Sequence, residues 1–186
     1  MRDEEGKLHR ARLRGKFKLK GMKVSNPLAV GDRVEFDVET TGEDTAVIHK
    51  IETRENYIIR KSTHKSAHAH IIAANLDQAL LIATLVSPRT SFGFIDRFLV
   101  TAEAYGIPTV IVYNKTDLYD EDMQEYQRQI AYLYERIGYK VMAVSAHTNQ
   151  GIDELQQLLH GKTTLFSGHS GVGKSTLINL IVPDLD

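Results

Sequence analysis

Residues 163–179 read TTLFSGHSGVGKSTLIN, and Gly168, Gly173, Lys174 and Ser175 within them satisfy the spacing G-x-x-x-x-G-K-[ST]. Glycines carry no Cβ to crowd a tight loop, so successive backbone N–H groups can turn inward around phosphate oxygens. The flanks agree with this reading. The apolar Leu165-Phe166-Ser167 predicts a strand before the loop. Residues 176–181 (TLINLI) predict a helix after it, whose N-terminal end adds positive potential. Gly168, His169, Ser170, Gly171, Val172, Gly173, Lys174, Ser175 and Thr176 therefore form a candidate phosphate cradle. Lys174 is the point charge for the β- and γ-phosphates, and the Ser175 hydroxyl is the candidate Mg²⁺ ligand. The bland alternative is a plain Gly-rich strand-to-helix turn; the patterned positions in strand–loop–helix context argue against it.

Toward the N-terminus, strand and helix patterns alternate, which predicts a parallel sheet with crossover helices. Residues 79–86 (ALLIATLV) are a continuous apolar run, as expected for a strand buried on both faces. Ser91 is placed to cap a helix with Ile95, Phe98, Leu99 and Ala102 on one face, closed by Gly106 and Pro108. Residues 109–113 (TVIVY) predict the next strand. Asp120 caps a second helix lined by Met123, Ile130, Leu133, Tyr134 and Ile137, closed by Gly138. Residues 140–144 predict a third strand, and a helix with Ile152, Leu155, Leu158 and Leu159 leads to Gly161 and the strand of the phosphate loop.

Two short motifs follow the second and third of these strands, where an open α/β sheet places its ligand crevice. The first is Asn114-Lys115-Thr116-Asp117. A carboxylate that accepts two in-plane hydrogen bonds selects guanine, which offers N1–H and an N2 amine. Adenine offers neither and would leave Asp117 unpaired, at a cost on the order of 1–3 kcal/mol. Asn114 supports the loop and the other edge of the base, and the Lys115 stem covers its plane. Alone, N-K-x-D reads as easily as an Asn/Asp turn; beside a phosphate loop it gains force. The second motif is Ser145-Ala146-His147, where the small Ala146 lets a backbone N–H approach the guanine O6. In ordinary GTPases the phosphate loop precedes both motifs. Here it follows them, so the nucleotide domain reads as circularly permuted, which chain termini that lie close together permit.

The front of the chain is different in kind. Residues 1–76 hold 15 Lys and Arg against 11 Asp and Glu, a charge of +4, whereas residues 77–186 hold 8 against 13, a charge of -5. Arg10, Arg12, Arg14, Lys16, Lys18 and Lys20 occupy every second position, with Ala11, Leu13, Gly15, Phe17, Leu19 and Gly21 between them. On a strand this puts all six cations on one face and the others toward a core. Such a stripe suits a phosphate backbone and predicts RNA binding. The alternative is a solvated edge strand whose charges block aggregation. Further short strands over residues 33–38, 45–51 and 57–60, separated by turn signals, predict a small barrel over residues 1–62. An OB-fold is the expected kind, with an SH3-like barrel left open. Residues 1–6 are polar and offer little to close a barrel, so its first strand is expected to be missing.

Residues 63–70 read as a polar linker, and the nucleotide domain is expected over 71–186. His64, His68 and His70 lie beside no Cys and no paired carboxylate, which favours solvated linker over metal site. The 186 residues contain no Cys, so neither a disulfide framework nor a thiolate zinc site is expected within them. Membrane-length apolar runs and a signal peptide are also lacking, and a cytoplasmic location without a membrane partner is expected.

A basic barrel before a permuted nucleotide domain resembles the bacterial small ribosomal subunit biogenesis GTPase family, RsgA or YjeQ. The resemblance covers nearly the whole chain. Besides the three motifs, it is carried by Arg12-Leu13-Arg14-Gly15-Lys16, Val30-Gly31-Asp32-Arg33-Val34, residues 73–78 (AANLDQ) and Asp96-Arg97-Phe98-Leu99. It implies a GTPase using GTP/GDP with Mg²⁺, stimulated by the ribosome. It also implies docking of the barrel on the small subunit and its rRNA, and promotion of late maturation. A monomer is expected. The resemblance further implies a switch I Thr, a D-x-x-G and a zinc-binding C-terminal domain after the phosphate loop. Residues 77–80 (DQAL) and 153–156 (DELQ) do not end in Gly, and only 10 residues follow Thr176. The fold expected is thus an OB-like barrel and an α/β P-loop domain, permuted and incomplete, with zinc only in the part that is lacking. Two rivals stand: a non-catalytic RNA-binding assembly module with a vestigial nucleotide site, and an ATP-using P-loop protein.

Overall fold

The computed structural model describes residues 1–14, 27–39, 45–61 and 69–182. The chain divides into two compact units, Met1–Asn75 and Leu76–Asp186.

The first unit is built of five short strands: β1 (Arg10–Leu13), β2 (Val34–Val38), β3 (Thr45–Ile51), β4 (Tyr57–Lys61) and β5 (Ala69–Ala74). β3 lies between β1, which it pairs in parallel, and β2, which it pairs antiparallel. β4 and β5 form an antiparallel pair, and a parallel bridge from Val30 to Ala73 links that pair to the chain entering β2. The alternation of β3 turns Ala46 and Ile48 inward, where Ile58, Ala73 and Ala74 are also buried. Gly31 sits at the bridge with φ +89°, and a Cβ there would lie 2.1 Å from the Ala74 carbonyl oxygen, so only glycine fits. Beside it, the Arg54 guanidinium donates to both carboxylate oxygens of Asp32, at 2.6 and 2.7 Å, and to the Pro27 carbonyl at 2.8 Å.

Two expectations change here. The first unit runs on to Asn75 rather than stopping near 62, because β5 pairs back onto β4; His70 belongs to β5, while residues 62–68 lie outside the described residues. The cationic stripe is described only at Arg10, Arg12 and Arg14. All three are exposed, but so is Ala11 between them, and Arg12 is bound to Glu39 at 2.5 Å. Lys16, Lys18 and Lys20 lie outside the described residues.

The second unit is a parallel four-stranded sheet in the order β8-β7-β6-β9, from β6 (Gln78–Ala83), β7 (Thr109–Tyr113), β8 (Lys140–Ala143) and β9 (Thr164–Ser167). Its helices are α1 (Phe92–Ala104), α2 (Glu121–Arg136), α3 (Ile152–Leu159) and α4 (Lys174–Ile181). Strand alternation sorts the apolar runs onto two faces. Leu80, Ile82, Val110 and Val112 pack with Ile152, Leu155 and Leu177 of α3 and α4. Leu81, Ala83, Ile111 and Tyr113 pack with Ile95, Leu99, Ile130 and Tyr134 of α1 and α2. Burying a Leu or Ile side chain stabilises the fold by about 1.5–3 kcal/mol, which is why these runs accept no polar break.

The expected caps form. The Ser91 side chain accepts from Phe94 N, and that of Asp120 accepts from Met123 N. Gly106, Gly138 and Gly161 follow their helices with φ between 65° and 99°. The face expected for α2 is corrected: Ile130 and Tyr134 are buried, but Leu133 and Ile137 are 64% and 65% exposed. Gln127 takes the inner position instead. A sheet edge covers only about half of a helix circumference, so apolar residues at its margin stay in water.

Candidate nucleotide site

In the second unit, register decides where the loops go. Leu81 pairs Ser167, Ala83 pairs Tyr113, and Tyr113 pairs Ala143. The strands that carry N-K-x-D, S-A-H and the phosphate loop thus end at one edge of the sheet.

Three glycines shape the phosphate loop. A Cβ on Gly168 would fall 2.3 Å from the Ile82 carbonyl oxygen, and one on Gly173 would fall 2.4 Å from Asn114 Nδ2. Gly171 also has positive φ, at 83°. The loop is therefore a cradle that side chains would fill, which is what a phosphate group requires. Gly173 is the N-cap of α4, so the helix start faces the cradle. Lys174 Nζ bends back across the loop and donates to the carbonyls of Gly168 and His169, at 2.8 and 2.6 Å. Ser175 and Thr176 are exposed at the first turn. These residues fit a nucleotide phosphate and its Mg²⁺: a concave backbone, one ammonium, and one hydroxyl at a helix start.

Asn114 is the joint between the loops. It is 1% exposed; its Nδ2 donates to the Val172 carbonyl at 2.9 Å, and its Oδ1 accepts from Ala146 N at 3.2 Å. One buried amide thus holds all three motifs together. Asp117 Oδ1 accepts from the Ser145 hydroxyl at 2.5 Å, and Ser145 Oγ in turn accepts from Thr148 N at 3.1 Å. This leaves one carboxylate edge of Asp117 facing the cleft. Thr116 anchors the turn from below, donating both N–H and Oγ1 to the Val144 carbonyl, at 3.2 and 3.0 Å. Lys115 has φ 67°, and its Nζ donates to the Ser87 carbonyl at 2.5 Å.

A cleft of about 390 Å³ is lined by Asn114, Lys115, Asp117, Ala146, Gly173 and Thr176, together with Leu118 and His147. It is of ligand size and open. A larger cavity, about 980 Å³, lies in the first unit between residues 1–4 and β2. It has no glycine cradle or helix start, so size is the poorer guide here. Residues not singled out by sequence also lie against the phosphate loop. A Cβ on Gly171 would lie 3.4 Å from Pro88 Cδ. The His169 ring stacks on Phe94 of α1, with centroids 3.9 Å apart. Pro88 and Phe94 thus flank the phosphate loop, which no motif announces.

The sequence compares with known proteins over its whole length. The RsgA GTPase family matches residues 51–186, and the RsgA N-terminal domain matches residues 3–48. The chain belongs to the RsgA GTPase family. Relatives include the small ribosomal subunit biogenesis GTPase RsgA of Bacteroides fragilis, 50% identical over 186 residues, which are 100% of this chain and 59% of the relative. The RsgA of Cytophaga hutchinsonii is 52% identical over 176 residues, 95% of this chain and 57% of the relative. Among solved structures, YjeQ from Thermotoga maritima matches with a TM-score of 0.79 at 40% identity, over 99% of this chain and 60% of that one. YloQ, described as a circularly permuted GTPase, matches with a TM-score of 0.71 at 35% identity, over 97% and 58%. The chain spans about six-tenths of the length of these RsgA relatives. The fold is thus an OB-like β unit followed by a P-loop domain with the permuted motif order. Among the described residues no helix is long and apolar enough to cross a membrane.

Proposed function

We propose that this chain binds guanine nucleotides in the cleft between residues 114–117, 145–146 and 168–176, and is the nucleotide- and RNA-binding part of a GTPase that matures the small ribosomal subunit. The observation that supports it most is the shared cleft: Asp117 and Ala146 stand at one end, Gly173 and Thr176 at the other, and Asn114 joins them. Asp117 reads the guanine N1–H and N2 amine through its free edge, and the Ala146 backbone N–H faces the O6. Lys115 leaves the Ser87 carbonyl and lays its stem over the base. The N–H groups of residues 168–174 and the Lys174 ammonium hold the β- and γ-phosphates, which requires Lys174 to give up the carbonyls it now bonds. The Ser175 hydroxyl is the ligand for Mg²⁺, which neutralises developing charge on the phosphates when bound.

Within these residues no D-x-x-G follows the phosphate loop. We therefore read this 186-residue chain as a binder with poor or no hydrolysis, and GTP hydrolysis as the activity of the whole protein. The exposed Arg10 and Arg12 of β1 and Arg14 just after it track rRNA phosphates, with Lys16, Lys18 and Lys20 continuing the stripe. A monomer in the cytoplasm is the state proposed, and no zinc ligand is assigned in this chain.

Fluorescent GDP titration tests the reading. Lys174→Ala should weaken binding by more than about 100-fold, a loss of about 2.7 kcal/mol. Asp117→Asn should abolish the preference for GDP over ADP. Equal competition by ATP and GTP against the wild type would support an ATP-using protein instead. Indifference to both substitutions would leave an RNA-binding module with a vestigial site. Robust turnover by this chain with saturating small subunits would overturn the binder reading.

A further inference from the structure

Tyr119 follows Asp117 by two positions, just past the 3-10 turn Thr116–Leu118, and its side chain points inward with 5% exposure. A phenol is accommodated in such a place when its hydroxyl is satisfied. Here the hydroxyl has two partners. It accepts from Leu85 N at 3.0 Å and donates to the Asn114 carbonyl at 3.2 Å. Burial pushes the Tyr119 pKa up, so the hydroxyl keeps the proton it donates.

Leu85 opens a segment, residues 85–88, that runs beside both loops. Two more contacts converge on the same segment: Lys115 Nζ donates to the Ser87 carbonyl, and Pro88 stands beside Gly171 of the phosphate loop. Residues 85–88 therefore touch the base-reading loop at one end and the phosphate loop at the other. The Asn114 side chain is directed elsewhere, Nδ2 to the Val172 carbonyl and Oδ1 to Ala146 N. The Asn114 backbone carbonyl, held by Tyr119, makes the third tie.

We propose that Tyr119 is a positioning residue for guanine-nucleotide binding: its hydroxyl ties the Leu85 amide to the Asn114 carbonyl and so holds the base-reading loop at the span that one nucleotide bridges. The inference rests on the guanine-nucleotide reading above. The rival is a Tyr that merely fills space, a task its ring performs with or without the hydroxyl. Tyr119→Phe separates the two.

The variant should bind fluorescent GDP about three- to tenfold more weakly, mainly through faster dissociation, because both hydrogen bonds of the hydroxyl are lost. Its affinity for inorganic tripolyphosphate should be unchanged, because the phosphate loop keeps its glycines and Lys174. Unchanged GDP affinity would overturn the proposal, and so would equal weakening of GDP and tripolyphosphate. A second measurement needs no variant: GDP should raise the hydrogen-exchange protection of the Leu85 amide together with residues 114–117, and no change at Leu85 would also overturn it. A wild type that fails to bind guanine nucleotides shows itself in the first titration and defeats the parent reading, whereas a defect confined to the variant arms concerns Tyr119 alone.

Discussion

The two units of this chain use different physics for the same task. The α/β unit buries whole strands: β6 and β7 are inaccessible along their length, and apolar clusters lie on both sheet faces. The β unit buries little among its described residues. Ala46, Ile48, Ile58, Ala73 and Ala74 form its interior, and charge pairs make up much of the rest: Arg54 with Asp32, Arg12 with Glu39, and Lys50 with Glu35. A small unit has too much surface for a deep core, so polar ties carry more of its specificity. The loops of the candidate nucleotide site sit on the deeply packed unit, whereas the exposed Arg10, Arg12 and Arg14 sit on the other.

The contrast can be broken most strongly at Arg54. Its side chain is 7% exposed and that of Asp32 1%, so Arg54→Ala leaves a carboxylate buried without its counter-ion. The expected loss is about 3–5 kcal/mol, and it should appear as collapsed hydrogen-exchange protection in β2–β5 with the α/β unit intact. Leu81→Ala is the converse. A fully buried leucine is removed beneath α1, costing about 2–5 kcal/mol in the α/β unit only. Unfolding of both units together by either substitution would show that they melt as one.

Gly173→Ala sharpens the link between rigidity and site. The new Cβ would meet Asn114 Nδ2, so nucleotide binding should fall at least about tenfold, and the positive φ should cost the α/β unit about 1–3 kcal/mol. pH distinguishes the units by degree: among the described residues three lowered carboxylates lie in the β unit and one, Glu125, in the α/β unit. Asp3, Glu35 and Glu39 are held below the ordinary carboxylate range by His9, Lys50 and Arg12 respectively. Their contribution to the β unit is present above the unfolded value near pH 4 and is lost as pH falls through the lower folded values. Burial raises Tyr113, Tyr119 and Tyr134 in the α/β unit. For these acids the unfolded chain loses its protons first, so stability is full below about pH 10 and declines above it. Urea titrations read by segment-resolved exchange should find the β unit the more acid-sensitive and the α/β unit the more alkali-sensitive. The smallest effect is expected for Arg12→Ala, which breaks an exposed pair. Stability should change by less than about 1 kcal/mol, while the salt slope of RNA binding should drop by about one.

Much of the α/β unit was legible before any coordinates. Ser91 and Asp120 announce their helices because capping is local, and the alternating sides of residues 79–83 follow from strand geometry alone. Leu133 and Ile137 misled, because helical spacing says which residues share a face and not how wide the partner surface is. The Arg54–Asp32 pair gave no signal, since 22 positions separate its members. The extension of the β unit to Asn75 was hidden for a related reason: residues 69–74 are apolar enough to belong to either unit, and only pairing with β4 assigns them.

Local spacing determined the chemistry of the candidate nucleotide site: glycines that clear a loop, a Lys-Ser pair at a helix start, and the Asn and Asp proposed to read a base. These act through bonded neighbours and hold wherever the stretch is placed. What the tertiary structure alone decided is that the stretches meet. The register of Leu81 with Ser167 and of Ala83 with Tyr113 brings three distant loops to one edge, Asn114 reaches into the space that Gly173 leaves, and Tyr119 finds Leu85 across 34 positions. Those contacts depend on how strands order themselves in a sheet, a long-range choice made by burial of the whole core.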